Sequence, residues 1–133
     1  MNDDHCFCCG EQNEKGLKLT FDTEEQDTAS TVFTIPDYFT GWANLTHGGF
    51  ISMLLDETMA QACMAKGLKG VTAELTIRFI KPLPVATEVQ VTGVIRELKK
   101  RIAITTGRLT DTAGTVYAEG KAKFIRTNVI DIL

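Results

Sequence analysis

The chain has 133 residues, a formal net charge of −3 at pH 7 and 44% hydrophobic residues. This length suits one domain with a substantial core, so we expect a single domain over residues 1–133, in which residues 1–16 form a cysteine-containing N-terminal segment. The acidic balance, with a sequence pI near 5.4, argues against nucleic-acid binding, which requires a basic face. The polar opening is not a secretory signal and no apolar run has transmembrane length, so we expect a cytoplasmic protein without a membrane partner.

Three of the four cysteines, Cys6, Cys8 and Cys9, are crowded into the N-terminal segment. Cys6 and Cys9 have the spacing of half a zinc knuckle, but the sequence lacks the second half. We therefore expect reduced structural thiols and no metal site. Cys63 is interpreted as a small buried hydrophobic residue.

Two strands are predicted before the central part of the chain. Residues 17–22 alternate apolar and polar side chains, and residues 28–35 are rich in β-branched residues and end at a proline. The polar turn between them predicts a hairpin. The following loop contains Tyr38, Phe39 and Trp42, which we expect to be buried because large aromatic surfaces are costly to expose.

Residues 48–66 predict one long helix, which Gly67 and Gly70 are expected to end. Its apolar residues fall on every side, which indicates a helix surrounded by protein. Asp56 and Glu57 interrupt it, and a carboxylate in such a helix costs several kcal/mol to bury unless it is paired. Gly48 and Gly49 leave the first backbone N–H groups uncovered by side chains. A helix start of this kind can hold a carbonyl oxygen or an anion.

After the helix the hydrophobic pattern alternates with a period of two, which predicts four strands. They cover residues 72–80, 87–98, 101–111 and 115–126. The predicted order is β-β-α-β-β-β-β, an α+β fold. A bent antiparallel sheet wrapped around the helix fits this order, because the sheet is what remains to cover the helix.

Three motifs resemble the hotdog-fold acyl-coenzyme A (CoA) thioesterases, and most of all the branch of the phenylacetic-acid-degradation type. They are Thr-His-Gly-Gly at 46–49, Leu-Asp-Glu at 55–57 and Arg-Phe-Ile-Lys-Pro-Leu-Pro at 78–84. The opening CFCCGEQNEKGLKL is similar to an N-terminal segment of some members. The resemblance covers residues 6–125. It implies the hotdog fold and hydrolysis of an acyl-CoA to the free acid and CoA, with no cofactor beyond the CoA of the substrate.

The resemblance also implies roles for particular residues. The family forms dimers, or dimers of dimers, with the active sites at the subunit interface. The Gly48 amide would hold the thioester carbonyl oxygen, and Asp56 would act as a general base or as the nucleophile. Thr72, from the partner subunit, would orient water.

Further residues are assigned supporting roles. His47 is expected to position the loop by capping the helix, and Glu57 to be a structural partner. The candidates for substrate binding are Gly49, Asn44, Arg78 and Lys81, the last two for CoA phosphates. Some family members carry an asparagine six residues before the histidine, where this chain has Gly41, and Asn44 is out of register with that position.

Two other functions are alternatives to hydrolysis. Hotdog hydratases and dehydratases use an aspartate and a histidine in one short segment. Residues 42–47 keep the asparagine and histidine of that segment but lack the aspartate. A non-catalytic acyl-CoA-binding protein is the second alternative, and the presence of Asp56 argues against it.

Overall fold

One helix and seven strands organise the chain in a computed structural model that describes residues 4–127. Helix α1 spans Gly48–Ala65, and a short 3-10 turn, Asp37–Phe39, precedes it. The strands are β1 Thr28–Thr34, β2 Thr40–Trp42, β3 Leu45–Thr46, β4 Gly70–Phe79, β5 Glu88–Leu98, β6 Ile102–Asp111 and β7 Val116–Arg126. Residues 1–3 of the N-terminal segment and residues 128–133 of the tail lie outside the described residues.

Five strands form one antiparallel sheet in the order β1-β5-β6-β7-β4, so β1 and β4 are its edges. The long strands β5, β6 and β7 are neighbours in sequence and in space, as expected for consecutive hairpins. Strands β2 and β3 pair with each other in a separate ribbon. The predicted order of strands around one helix is confirmed. Among residues 4–127, no helix has the length and apolar character needed to cross a bilayer.

Helix α1 packs against the inner face of this sheet and forms the centre of the core. Leu54, Leu55 and Met59 are each 0% exposed, as the all-round apolar pattern predicted. The β5 backbone approaches so closely that a Cβ added at Gly93 would lie 2.8 Å from the Met59 Cα. A larger residue at position 93 would therefore push the helix off the sheet.

The helix ends in a backbone motif centred on Gly67, the glycine that was predicted to stop it. Gly67 has φ +80°. Its N–H donates to Met64 O at 2.9 Å, and the Leu68 N–H donates to Cys63 O at 3.1 Å. This is a Schellman ending, which needs a residue that tolerates the left-handed region.

The first predicted strand, residues 17–22, is reduced to a single antiparallel bridge between Asp22 and Ser30. Lys18 has φ +53°, which interrupts an extended strand. The backbone of this segment pairs instead with the cysteine turn, because Leu19 N donates to Cys8 O at 2.9 Å. Cys8 and Leu19 thereby join the core, with 3% and 6% exposure.

Candidate active site

The start of α1 is held by its capping residue, His47. The imidazole Nδ1 accepts a hydrogen bond from the Gly49 N–H at 2.8 Å. The His47 carbonyl accepts from the Phe50 N–H at 3.0 Å, and the His47 N–H donates to Phe39 O at 2.9 Å. The histidine therefore ties the preceding loop to the first helical turn.

The neighbouring Gly48 N–H is a different kind of donor. Within residues 4–127 it has no protein acceptor, whereas the Gly49 N–H is taken by His47. Both N–H groups lie in the first turn, where the helix dipole favours negative charge. Gly48 can therefore donate a hydrogen bond to a ligand oxygen.

A mainly apolar groove of about 530 Å³ opens beside this donor. The groove is formed by the β2–β3 ribbon, the helix start and the segment that follows β4. Its lining residues are Gly41, Trp42, Leu45, Thr46, His47, Gly48, Ile51, Phe79, Ile80, Lys81, Pro82 and Leu83. An acyl or pantetheine chain is the kind of ligand that such a surface can accept.

The aromatic loop differs from its prediction. Phe39 is packed as expected, with its ring stacked on Phe50 at a centroid distance of 4.2 Å. Tyr38 and Trp42, predicted to be buried, are 75% and 79% exposed. The reason is that the short β2–β3 ribbon holds Trp42 at the rim of the groove and away from the core.

The candidates for substrate binding differ in whether they line the groove. Lys81 lines the groove, whereas Asn44 and Arg78 are not among its lining residues. The Asn44 carbonyl accepts from the Val85 N–H at 2.9 Å, which fixes the loop. At Gly41 an added Cβ would lie 2.9 Å from the His47 Cα, so an asparagine at this position would displace the helix cap.

Asp56 lies farther along the helix and is half-buried. Its Oδ1 accepts a hydrogen bond from Thr72 Oγ1 at 2.8 Å. Burial raises the pKa of Asp56, the hydrogen bond from Thr72 opposes that rise, and the charge of Glu57 adds to it. This contact lies within one chain, whereas the resemblance implied a threonine supplied by the partner subunit.

Gly48 and Asp56 do not converge within one chain. They are eight residues apart on α1, which corresponds to about 12 Å along the axis and about 80° around it. A thioester carbonyl bound at Gly48 is therefore out of reach of the Asp56 carboxylate of the same chain.

Glu57 faces a different neighbourhood from Asp56, as expected for adjacent helical residues. Gln61 Nε2 donates to Glu57 Oε1 at 3.0 Å. The thiols of Cys6 and Cys8 approach the same carboxylate. The sequence interpretation missed this cluster because it joins segments about 50 positions apart.

Sequence comparison shows which known proteins this chain resembles. The profile of the thioesterase superfamily matches residues 43–118. Mouse acyl-coenzyme A thioesterase 13 is 32% identical over 78 residues, which are 56% of this chain and 56% of the mouse protein. The match thus spans little more than half the length of that relative.

Solved structures support the fold over a longer range. The E. coli PaaI protein from the phenylacetic acid degradation operon has a TM-score of 0.78 and 22% identity, and the match covers 84% of this chain and 86% of the PaaI chain. A hypothetical thioesterase protein from Streptococcus pneumoniae, solved with coenzyme A, has a TM-score of 0.78 and 14% identity, covering 83% and 86%. These likenesses confirm the predicted hotdog fold.

Proposed function

Since the chain belongs to the thioesterase superfamily, we propose that it hydrolyses acyl-CoA thioesters to a free acid and CoA. The observation that carries this proposal is Asp56, a half-buried carboxylate on a mostly apolar helix, whose Oδ1 accepts a hydrogen bond from Thr72. Thioester hydrolysis needs such a group to activate water or to attack the carbonyl carbon. The acyl-coenzyme A thioesterase name of the mouse relative agrees with the proposed reaction.

The Gly48 N–H is proposed to polarise the thioester carbonyl. It is a first-turn donor without a protein acceptor within the described residues, and Gly48 lines the groove. A fixed backbone donor stabilises the oxyanion that develops as the carbonyl carbon becomes tetrahedral. Lys81 at the same groove is the stronger of the two cationic candidates for a CoA phosphate, because Arg78 lies outside the lining.

Asp56 is proposed to act through the oxygen that Thr72 leaves available. As a base it takes a proton from water, the hydroxide attacks the thioester carbon, and the C–S bond breaks to release CoA as a thiolate that takes the proton back from Asp56. As a nucleophile it displaces CoA to form a mixed anhydride, which water then cleaves. Both routes require the carboxylate charge at this position.

We propose that each site is built from two chains, with Gly48 of one subunit facing Asp56 and Thr72 of the other. The separation of Gly48 and Asp56 along one helix requires this arrangement if both act on one carbonyl. Edge strand β4 offers the contact surface, because Val71, Leu75 and Phe79 are 44%, 37% and 54% exposed. A second copy would cover these side chains and pair the free sheet edge, giving a dimer or a dimer of dimers.

Light scattering at micromolar protein is expected to give at least a dimer, and Leu75→Glu to produce a monomer. A buried unpaired charge at this edge would weaken association by about two orders of magnitude or more. Val32→Glu, on the opposite edge strand and 61% exposed, is the matched control and should leave assembly unchanged. A parent species of 14.6 kDa would contradict the shared site, and so would dissociation caused by Val32→Glu alone.

The hydrolytic activity itself is tested with a panel of acyl-CoAs of short, medium and aromatic acyl groups, with release of the free CoA thiol as the readout. We expect turnover above the uncatalysed rate for at least one member of the panel. Acyl-CoA binding without thiol release across the whole panel would favour a non-catalytic binding protein.

A further inference from the structure

The N-terminal segment folds so that three metal-binding side chains meet against the middle of α1. The Sγ atoms of Cys6 and Cys8 and a carboxylate oxygen of Glu57 all lie within 4.8 Å of one another. Cys8 is 3% exposed, and Cys6 and Glu57 are half-buried. The sequence showed only half of a zinc-binding pattern, and the helix supplies a further ligand from a distant position.

The spacing of these atoms suits one shared ion. Zn²⁺ binds sulfur at about 2.3 Å and carboxylate oxygen at about 2.0–2.2 Å, so ligand atoms of a tetrahedral site lie about 3.6–3.8 Å apart. The three side chains need to close by about 1.2 Å at most to reach those distances. Rotation about their side-chain bonds provides a movement of this size.

The surroundings hold the ligands in place. Gln61 Nε2 donates to Glu57 Oε1 at 3.0 Å, which orients the carboxylate. The cysteine turn is closed by a hydrogen bond from Gly10 N to Cys6 O at 2.8 Å. A Cβ at Gly10 would lie 2.3 Å from Asp4 O, so the turn that carries the cysteines depends on glycine at this position.

We propose that Cys6, Cys8 and Glu57 bind one Zn²⁺ ion. Two sulfurs and a carboxylate match a borderline-soft divalent cation, whereas Mg²⁺ and Ca²⁺ prefer sites composed of oxygen ligands. On binding, each of the two thiols releases its proton to solvent and forms a zinc–sulfur bond. Three protein ligands leave one tetrahedral position for water.

The ion would join the N-terminal segment to the central helix one residue away from Asp56. Its position on the Glu57 side of the helix, away from the groove beside Gly48, gives it a structural role. A metal that links two distant segments contributes its binding free energy to folding. We therefore expect zinc to raise the melting temperature of the metal-free protein.

The test uses the untagged, fully reduced chain of 133 residues, stripped with a chelator and titrated with Zn²⁺ in competition with a chromophoric chelator. We expect one zinc per chain and no binding of Mg²⁺. Cys6→Ser and Glu57→Gln should each weaken zinc binding at least about tenfold, because changes beside a metal site already cost that much. The Co²⁺-loaded parent should show thiolate charge-transfer absorption that weakens in Cys6→Ser.

Cys63→Ala is the matched control, because Cys63 is a core thiol of the same helix at 2% exposure and lies outside the cluster. It should bind zinc as the parent does. Less than a tenth of an equivalent in the parent would overturn the proposal, and so would equal affinity in the parent and both ligand variants. If circular dichroism shows that Cys6→Ser does not fold, Glu57→Gln decides the question, since its amide keeps the shape of the carboxylate.

Discussion

Asp56→Asn is expected to lower turnover of the best acyl-CoA by about two to four orders of magnitude, which is the usual contribution of a positioned acid–base group. The amide keeps the size of the side chain, and its oxygen can still accept the hydrogen bond that Thr72 Oγ1 donates at 2.8 Å. What disappears is the negative charge, which either catalytic route requires. Steady-state kinetics with free-thiol detection measures the effect.

Asp27→Asn is the matched control for this substitution. Asp27 forms a surface ion pair with Lys66 at 2.9 Å and has φ +59°, a conformation that asparagine tolerates well. Its loss should leave turnover within a few-fold of the parent. Binding of a non-hydrolysable thioether analogue should be retained in both variants. If Asp56→Asn also stays within a few-fold, Asp56 is a structural acid and the non-catalytic acyl-CoA-binding alternative becomes the better account.

Gly48→Pro is expected to lower turnover by about 10²–10³-fold, the cost of removing one oxyanion donor. Gly48 is the first helical residue, where proline is well accepted because the N–H at that position donates no hydrogen bond within the helix. His47 has φ −60° and ψ 132°, which suits a residue that precedes proline. The substitution therefore deletes the donor and preserves the helix.

Gly48→Ala separates the loss of the N–H from the added bulk. Its Cβ would lie 3.3 Å from Phe79 Cζ, a contact that a small tilt of the ring relieves. Alanine keeps the N–H and should retain most of the activity. Similar losses in the alanine and proline variants would assign the effect to crowding in the groove and remove the Gly48 amide from the mechanism.

Mixing the two inactive variants tests whether the site is shared between chains. In a mixed dimer of Asp56→Asn and Gly48→Pro chains, one site combines the intact Gly48 with the intact Asp56. Random exchange of subunits in a two-fold dimer should then restore about a quarter of the parent activity. No recovery after demonstrated exchange would show that each chain uses its own Gly48 and Asp56.

The sequence by itself determined the central helix, the four strands that follow it and the uncovered N–H groups at the start of the helix. Periodicity is a local property, so it located the long buried helix and the four strands that follow it. Glycines at 48, 49 and 67 marked where that helix begins and ends. The first strand was overestimated, because alternation over residues 17–22 carries no information about the left-handed backbone at Lys18.

The tertiary structure decided which side chains meet. The Thr72 hydroxyl reaches Asp56 within one chain, and Glu57 turns towards Cys6 and Cys8. Neither contact follows from spacing, because each depends on how separate segments fold onto the two sides of one helix. The tertiary structure also decided that Trp42 is exposed at the groove. The large apolar surface of this side chain favours burial, but the β2–β3 ribbon holds it away from the core.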